Sequence, residues 1–348
     1  MRSLPQYWHR CAPKKFTLPQ LFACLVLKEF LRLDYRKLSA LLQDAPSLTA
    51  TIGLAEVPHF TTFQKASRRL LIVWRARRLL DETIRQAQRS GTVRSRIKLA
   101  AVDGTGFETR HISAYFVNRR ERACKPANPT TAYTRYPYVE LVCDCRSHFV
   151  LTVLPSRGPT SDDHFFQRAL RETLDRISVA TLLADAGFDS EAAHQFAREQ
   201  CGVRTIIPPT RGRPGRKPPR GYWRNRMKRW FPKKQYGQRW QVETVNSMIK
   251  RLLGAALRAR NYRSQSREIV LRVLTLNIMI LRRLSLFYRA GKNGFKRWEN
   301  GDKRWRKRSE TASDCGGRAV QGPGPRLRPQ TLSHWIVKER CCAVADEE

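Results

Sequence analysis

The chain has 348 residues, 41% of them hydrophobic, enough to bury a substantial core and to divide into two units. Lysine and arginine number 67 against 29 acidic residues, a formal net charge of +38; so large an excess repels itself unless a polyanion is bound, and nucleic acid is the first partner to expect. Charge alone sets the partner class and not the reaction, since ribosomal and membrane-surface proteins are also this basic. The nine cysteines form no C-x2-C pair and no histidines sit at zinc-ligand spacing, which argues against a zinc centre, while the odd count suits a reducing cytoplasm. Met1 to Pro13 lacks the apolar segment of a signal peptide. The most apolar stretch, Ile269 to Tyr288, is interrupted by Arg272, Arg282 and Arg283, so a buried helix is expected there and no membrane partner.

In chain order, residues 16 to about 91 are predicted helical. Thr17 can cap a helix whose apolar positions Leu21, Phe22, Leu25, Val26, Phe30 and Leu33 recur at the helical period. A second helix is expected from Asp34 to Leu42, ending near Pro46. A third is expected after Pro58, capped by Thr61 or Thr62 and carrying Phe63, Leu70, Leu71 and Trp74, with Lys65, Arg68 and Arg69 between them. Short helices with a basic last member suggest a helix-turn-helix-like DNA-binding domain over 1–95; a plain helical bundle with a solvated basic face is the alternative.

The pattern then changes. Ile97 to Val102 reads as a strand ending in a turn, Asp103-Gly104-Thr105-Gly106. Tyr138 to Cys143 and His148 to Leu154 alternate around the turn Asp144-Cys145-Arg146-Ser147, as an antiparallel hairpin does. Asp162 to Ile177 reads as a helix, and Val179 to Ala184 as a buried strand terminating at Asp185-Ala186-Gly187-Phe188. Glu191 to Gln200 is helical, Val203 to Ile207 a fifth strand, and Gln235 to Leu253 a helix. Three strands, a helix, a strand, a helix, a strand and a helix describe an α/β protein. The expected core is RNase H-like, a mixed five-stranded sheet flanked by helices over 96–290, with the helical domain N-terminal to it. Between the fifth strand and that helix, residues 208–234 hold eleven lysines or arginines, six prolines and no acidic residue, with Tyr222, Trp223, Trp230 and Phe231. An extended basic arm is expected, its cations on phosphates and its aromatics free to stack on bases; a disordered basic loop is the alternative. Residues 291–348 read as a basic, disordered tail.

The helix over 235–253 carries the spacing Y-x2-R-x3-E-x6-K. At about 100° per residue, Tyr236, Arg239, Glu243 and Lys250 fall within a stripe roughly 60° wide. That stripe mixes a metal-ligand type with phosphate-ligand types. Asp103 and Asp185 follow apolar runs, so three carboxylates from two strands and one helix can form a two-metal phosphoryl-transfer centre, built from the hard oxygen ligands that Mg²⁺ needs. Each has a bland alternative: Asp103 and Asp185 as turn or cap residues, Glu243 as half of a surface ion pair with Arg239. Asp162, Asp163 and Asp189 compete for the same role, although helix starts and turns explain them more cheaply.

Together, Ala101-Val102-Asp103-Gly104-Thr105-Gly106-Phe107, Ala184-Asp185-Ala186-Gly187-Phe188-Asp189 and the Tyr236, Arg239, Glu243 and Lys250 signature resemble the DDE transposases of bacterial insertion sequences, over residues 16 to 288. The resemblance implies a catalytic and metal-binding triad of Asp103, Asp185 and Glu243 with two Mg²⁺ ions, Mn²⁺ substituting. It also implies that Tyr236, Arg239 and Lys250 contact the phosphates and a distorted or flipped nucleotide of the transposon end. Some relatives carry a β-strand insertion between the second Asp and the Glu, where this chain has only the basic arm, so the pattern does not identify an aromatic that receives a flipped base; Trp223 and Trp230 are the candidates. The expected activity is cleavage at the terminal inverted repeats of double-stranded DNA and strand transfer into target DNA, by a homodimer in the bacterial cytoplasm at the nucleoid. An RNase H-like nuclease that cuts without joining, and a DNA-binding protein with a decayed catalytic domain, are the alternatives.

Overall fold

The computed structural model describes residues 4–109, 136–158, 163–209, 219 and 221–289. Asp162, most of the first half of the basic arm and the 291–348 tail lie outside them. The N-terminal part holds α1 (Leu18–Phe30), α2 (Tyr35–Asp44), α3 (Pro46–Ile52), α4 (Phe60–Leu70) and α5 (Val73–Arg89). Thr17 caps α1 in a reciprocal box with Gln20, and Asp34 caps α2 by accepting from the Lys37 amide; in each case the side chain satisfies an amide that has no partner within the helix.

Two expectations fail here. Pro46 opens α3 instead of only ending α2, because a proline at the first helical position gives up an amide that would have been unpaired anyway. The third helix also divides, with Ile72 in extended backbone before α5 begins.

The sheet contains β2 (Ala100–Gly106), β4 (Tyr136–Asp144), β5 (Val150–Gly158), β7 (Thr181–Leu183) and β8 (Arg204–Ile206), in the order β5-β4-β2-β7-β8. β2 is antiparallel to β4 and parallel to β7, and β7 is parallel to β8. This is the mixed five-stranded RNase H-like arrangement that the sequence predicts. The hairpin turn is held by Asp144, whose carboxylate accepts from the Arg146 and Ser147 amides at 3.2 Å. The run Val179–Ala184 divides in two: β6 (Ser178–Val179) pairs with β1 (Arg96–Ile97), and β7 with β2.

The loop expected at Asp103-Gly104-Thr105-Gly106 is strand instead. Antiparallel pairing continues from Ala100 opposite Asp144 to Gly106 opposite Tyr138. The glycine at 104 is needed for a steric reason, since a Cβ there would lie 1.6 Å from the Tyr138 hydroxyl.

Helices cover both faces, and side chains alternate between them as the two-residue period requires. Ala100, Val102, Leu182 and Ala184 join an apolar cluster with α1, α2, α4, α5 and α6 (Asp163–Leu174). Ala101, Leu141 and Leu183 join another with Val242, Val245 and Ile249 of α10 (Trp240–Leu253) and Ile269 and Val273 of α11 (Tyr262–Arg289). α11 thus carries one apolar edge to each cluster. Its buried Arg272 is paired with Glu268 at 2.6 Å and with Glu29 of α1 at 3.7 Å, which explains a charged residue inside so apolar a run. Among the described residues no helix is long and apolar enough to cross a membrane.

The basic arm is corrected as well. Beyond Gly221 the chain forms α8 (Tyr222–Arg229), following α7 (Glu191–Gln195) and its continuation as a π turn, Phe196–Gln200. The Glu191 carboxylate accepts from the Trp223 and Arg224 amides at 3.0 and 3.1 Å, capping α8 from a distant element, and Met227 buries its side chain. Gly221 sits at φ +104, where a Cβ would meet Glu191 Oε2 at 2.2 Å.

Candidate active site

β2 and β7 run parallel with Ala101 opposite Leu183. β7 ends at Leu183, but Asp185 is still in extended backbone, so continuing that register by two residues brings Asp185 level with Asp103, near enough for its charge to act on Asp103. Odd-numbered residues of β2 face α10, so Asp103 and Thr105 look towards that helix as Ala101 does. On α10, Glu243, Asn246 and Lys250 lie at intervals of three and four and share its sheet-facing side, next to the buried Val242, Val245 and Ile249.

The helix expected over 235–253 is not one regular helix. Tyr236 closes α9 (Lys233–Tyr236), Arg239 ends a 3₁₀ turn, and Glu243 and Lys250 belong to α10. Backbone angles stay in the right-handed region throughout, so the four side chains still gather on one side.

Asn246 Nδ2 donates to Asp103 Oδ2 at 2.9 Å. Lys250 Nζ donates to Thr105 Oγ1 at 2.7 Å, and its ammonium lies 5.7 Å from the centre of the Phe107 ring. Arg239 is ion-paired with Glu243, whose side chain is 53% exposed. The Tyr236 ring packs edge-on against Phe231. Asp185 caps the one-turn 3₁₀ helix Ala186–Phe188, its Oδ1 accepting from the Gly187 amide at 2.7 Å. Sequence reasoning missed Asn246 and Thr105. For Asn246 the available signal was its place three after Glu243 and four before Lys250, within the same polar stripe.

Electrostatics ties the carboxylates together. Burial raises the Asp103 carboxyl to about 6; Arg239 opposes that shift, and the negative charges of Asp185 and Glu243 reinforce it. Burial likewise raises the Tyr236 phenol. Burial works against the charge of Arg239, but Glu243, Tyr236 and Asp103 together outweigh it and hold the guanidinium above its ordinary value.

Three like-charged carboxyl groups on a half-buried sheet centre form a donor set suited to a hard divalent cation. Among the described residues, no three His, Cys, Asp or Glu side chains stand close enough to hold one as they are oriented here. Glu243 is turned onto Arg239, so a metal shell that includes it requires that ion pair to open.

The competing Asp189 is elsewhere. Its carboxylate is fully buried and gripped by Arg224, with Nε 3.0 Å from both oxygens and a second guanidinium nitrogen at 2.7 Å. Of the two tryptophans, Trp223 is engaged: its indole donates to Glu199 at 2.7 Å and Arg198 lies 4.4 Å from its ring. Trp230 stands 70% exposed.

A mixed sheet of this order with acidic residues at its centre defines the RNase H-like class. The sequence pattern of the family described as "Transposase DDE domain" matches residues 94–278, just over half of the chain, and the chain belongs to that family. Solved structures with some likeness include the crystal structure of the Mos1 strand transfer complex, at 12% identity and a TM-score of 0.26 over 81% of this chain and 79% of that one. Another is the piggyBac transposase synaptic complex with hairpin DNA, at 10% identity and a TM-score of 0.35 over 97% and 83%. The family match makes the assignment, and these distant likenesses add nothing to it.

Proposed function

We propose that this protein is a DNA transposase in which Asp103, Asp185 and Glu243 are the catalytic and metal-holding residues. The observation that supports the reading is electrostatic proximity: Asp103, two residues past the last β2–β7 pair, feels the negative charges of both Asp185 and Glu243. Two Mg²⁺ ions, or Mn²⁺ in their place, would activate the attacking oxygen and stabilise the departing one.

The chain's own residues do the rest. Asp103, buried and shifted upward, must lose its proton before it can act as a ligand. Arg239 keeps Glu243 oriented before DNA arrives and becomes free for a phosphate when the carboxylate turns away. Lys250 is anchored by Thr105 one strand position beyond Gly104, where its ammonium can meet a second phosphate. Tyr236 lies beside Arg239 and supplies a stacking surface. Residues 1–95 serve as a DNA-binding domain for the terminal inverted repeats, and a homodimer engages two ends before joining their 3′-hydroxyls to target DNA in the cytoplasm, at the nucleoid.

The test is incubation of the full chain with end-bearing duplex and Mg²⁺. Metal-dependent nicks at the ends, lost in Asp103→Ala and Glu243→Ala, are expected. Cleavage surviving both substitutions removes the site assignment. Nicks without strand-transfer products would leave a nuclease.

A further inference from the structure

A cavity of about 700 Å³ opens between the N-terminal helices and the start of α11, lined among others by Lys37, Arg68, Arg260 and Arg267. It shares no residue with the carboxylate site. The acidic groups on its wall are already committed. Glu268 accepts from the Arg258 and Ala259 amides and pairs with Arg272. Glu29 is paired with Lys28 and Arg272, and Asp34 caps α2. Among the lining arginines, Arg68 from α4 and Arg260 and Arg267 from the other wall have no carboxylate partner among the described residues.

Two elements almost two hundred residues apart in sequence therefore present guanidinium groups to each other across a groove. Burial lowers the pKa of Arg267, and the charges of Arg68 and Arg263 lower it further. The wall gathers six cations (Lys28, Lys37, Arg68, Arg258, Arg260 and Arg267) against the carboxylates of Glu29, Asp34 and Glu268; such an excess of one sign is electrostatically unfavourable in isolation, and a bound polyanion relieves it. Guanidinium groups are planar multi-donor partners for phosphate oxygens. Arg68 and Arg260 are solvent-exposed and line the groove from opposite sides, so a long ligand can lie across the opening.

We propose that the groove between α4 and the start of α11 binds the sugar-phosphate backbone of duplex DNA, as a second contact apart from the carboxylate site. This rests on the DNA-binding part of the transposase reading, and not on its chemistry. The groove reads no base sequence: it positions the duplex, as phosphate contacts do.

The experiment measures binding of a labelled duplex to the full chain in EDTA, between about 50 and 200 mM salt, for the parent and for Arg68→Gln/Arg260→Gln. Both positions are exposed, so folding should persist, and a thermal melt run alongside should match the parent. Losing two phosphate contacts should lower the slope of log K against log salt by about 2 and weaken binding about tenfold or more at low salt. A double variant with the parent's slope and affinity overturns the proposal, even if the parent cuts DNA normally. Weakened binding in the variant with no metal-dependent cleavage by the parent keeps the groove and defeats the catalytic reading.

Discussion

Asn246 holds Asp103 by a hydrogen bond of 2.9 Å from Nδ2 to Oδ2, while its other side-chain atom, Oδ1, is buried without a partner. The donor fixes which way one carboxylate oxygen points, leaving Oδ1 to accept from whatever enters the site. Groups that orient a metal-binding residue in this way typically matter by about 10- to 100-fold. Asn246→Ala should therefore slow Mg²⁺-dependent cleavage by that factor, with DNA affinity in EDTA unchanged. A single-turnover assay paired with a binding titration checks it, and an equal loss in both would mean that the asparagine acts on DNA and not on Asp103.

Asp103 makes the protein without metal sensitive to pH in a direction opposite to that of most carboxylates. Its folded pKa of about 6 lies above the unfolded value. The folded state therefore holds the proton more tightly, and the stability this confers is complete below the unfolded pKa and lost as pH rises through 6. The amount is about 3 kcal/mol at most, from roughly two units of displacement. Asp103→Asn should melt at higher temperature than the parent at pH 7.5 in EDTA, the gap shrinking towards pH 4.5. A melting curve of the variant minus the parent across that range isolates this group, and a flat difference rules the linkage out.

The Tyr138 ring, from the position opposite Gly106, reaches diagonally over Gly104 in the β2–β4 pair, with 1.6 Å between its hydroxyl and a hypothetical Cβ. A tyrosine ring cannot bend, so Gly104→Ala forces it aside or opens the strand next to Asp103. A loss of about 1–3 kcal/mol is expected, read as a shift in urea midpoint. Gly104→Ala/Tyr138→Ala should recover much of the penalty of the single glycine change when compared with Tyr138→Ala alone. Additive losses would show that the ring is not what excludes the methyl group.

The five strands and their order were legible because each is an apolar run with turn residues at its ends, and Asp103 and Asp185 were legible because they follow two such runs. Their level alignment was not, since it depends on the register of Ala101 with Leu183, a contact between residues 82 positions apart. α8 was hidden by composition: six prolines and eleven cations suggest an arm, and the groups that nucleate the helix belong to Glu191, far upstream. The strands β3 (Glu108–Thr109) and β9 (Ala256–Leu257) are too short to have a period. Asn246 carried a faint signal, a polar position on the sheet-facing side of α10. The groove arginines carried none, because α4 and α11 meet only in three dimensions.

Arg224 joins α8 to the chain beyond Asp185, its guanidinium gripping a buried Asp189. His194 does not replace it. Its ring lies 3.9 Å from the same carboxylate, but burial holds its pKa down to about 4, so it is neutral near pH 7. Arg224→Ala leaves Asp189 without its guanidinium clamp and should cost about 3 kcal/mol, the lower end for breaking a buried pair. It should also loosen α8, exposing Arg226, Lys228 and Arg229 to trypsin. Arg224→Lys keeps the charge but not the fork, and should fall between parent and alanine variant. Denaturation midpoints and trypsin cleavage rates measured on all three proteins decide the matter. If the alanine variant matches the parent in both, the Glu191 cap, Met227 and the Trp223 contacts suffice to hold α8, and the clamp contributes nothing measurable.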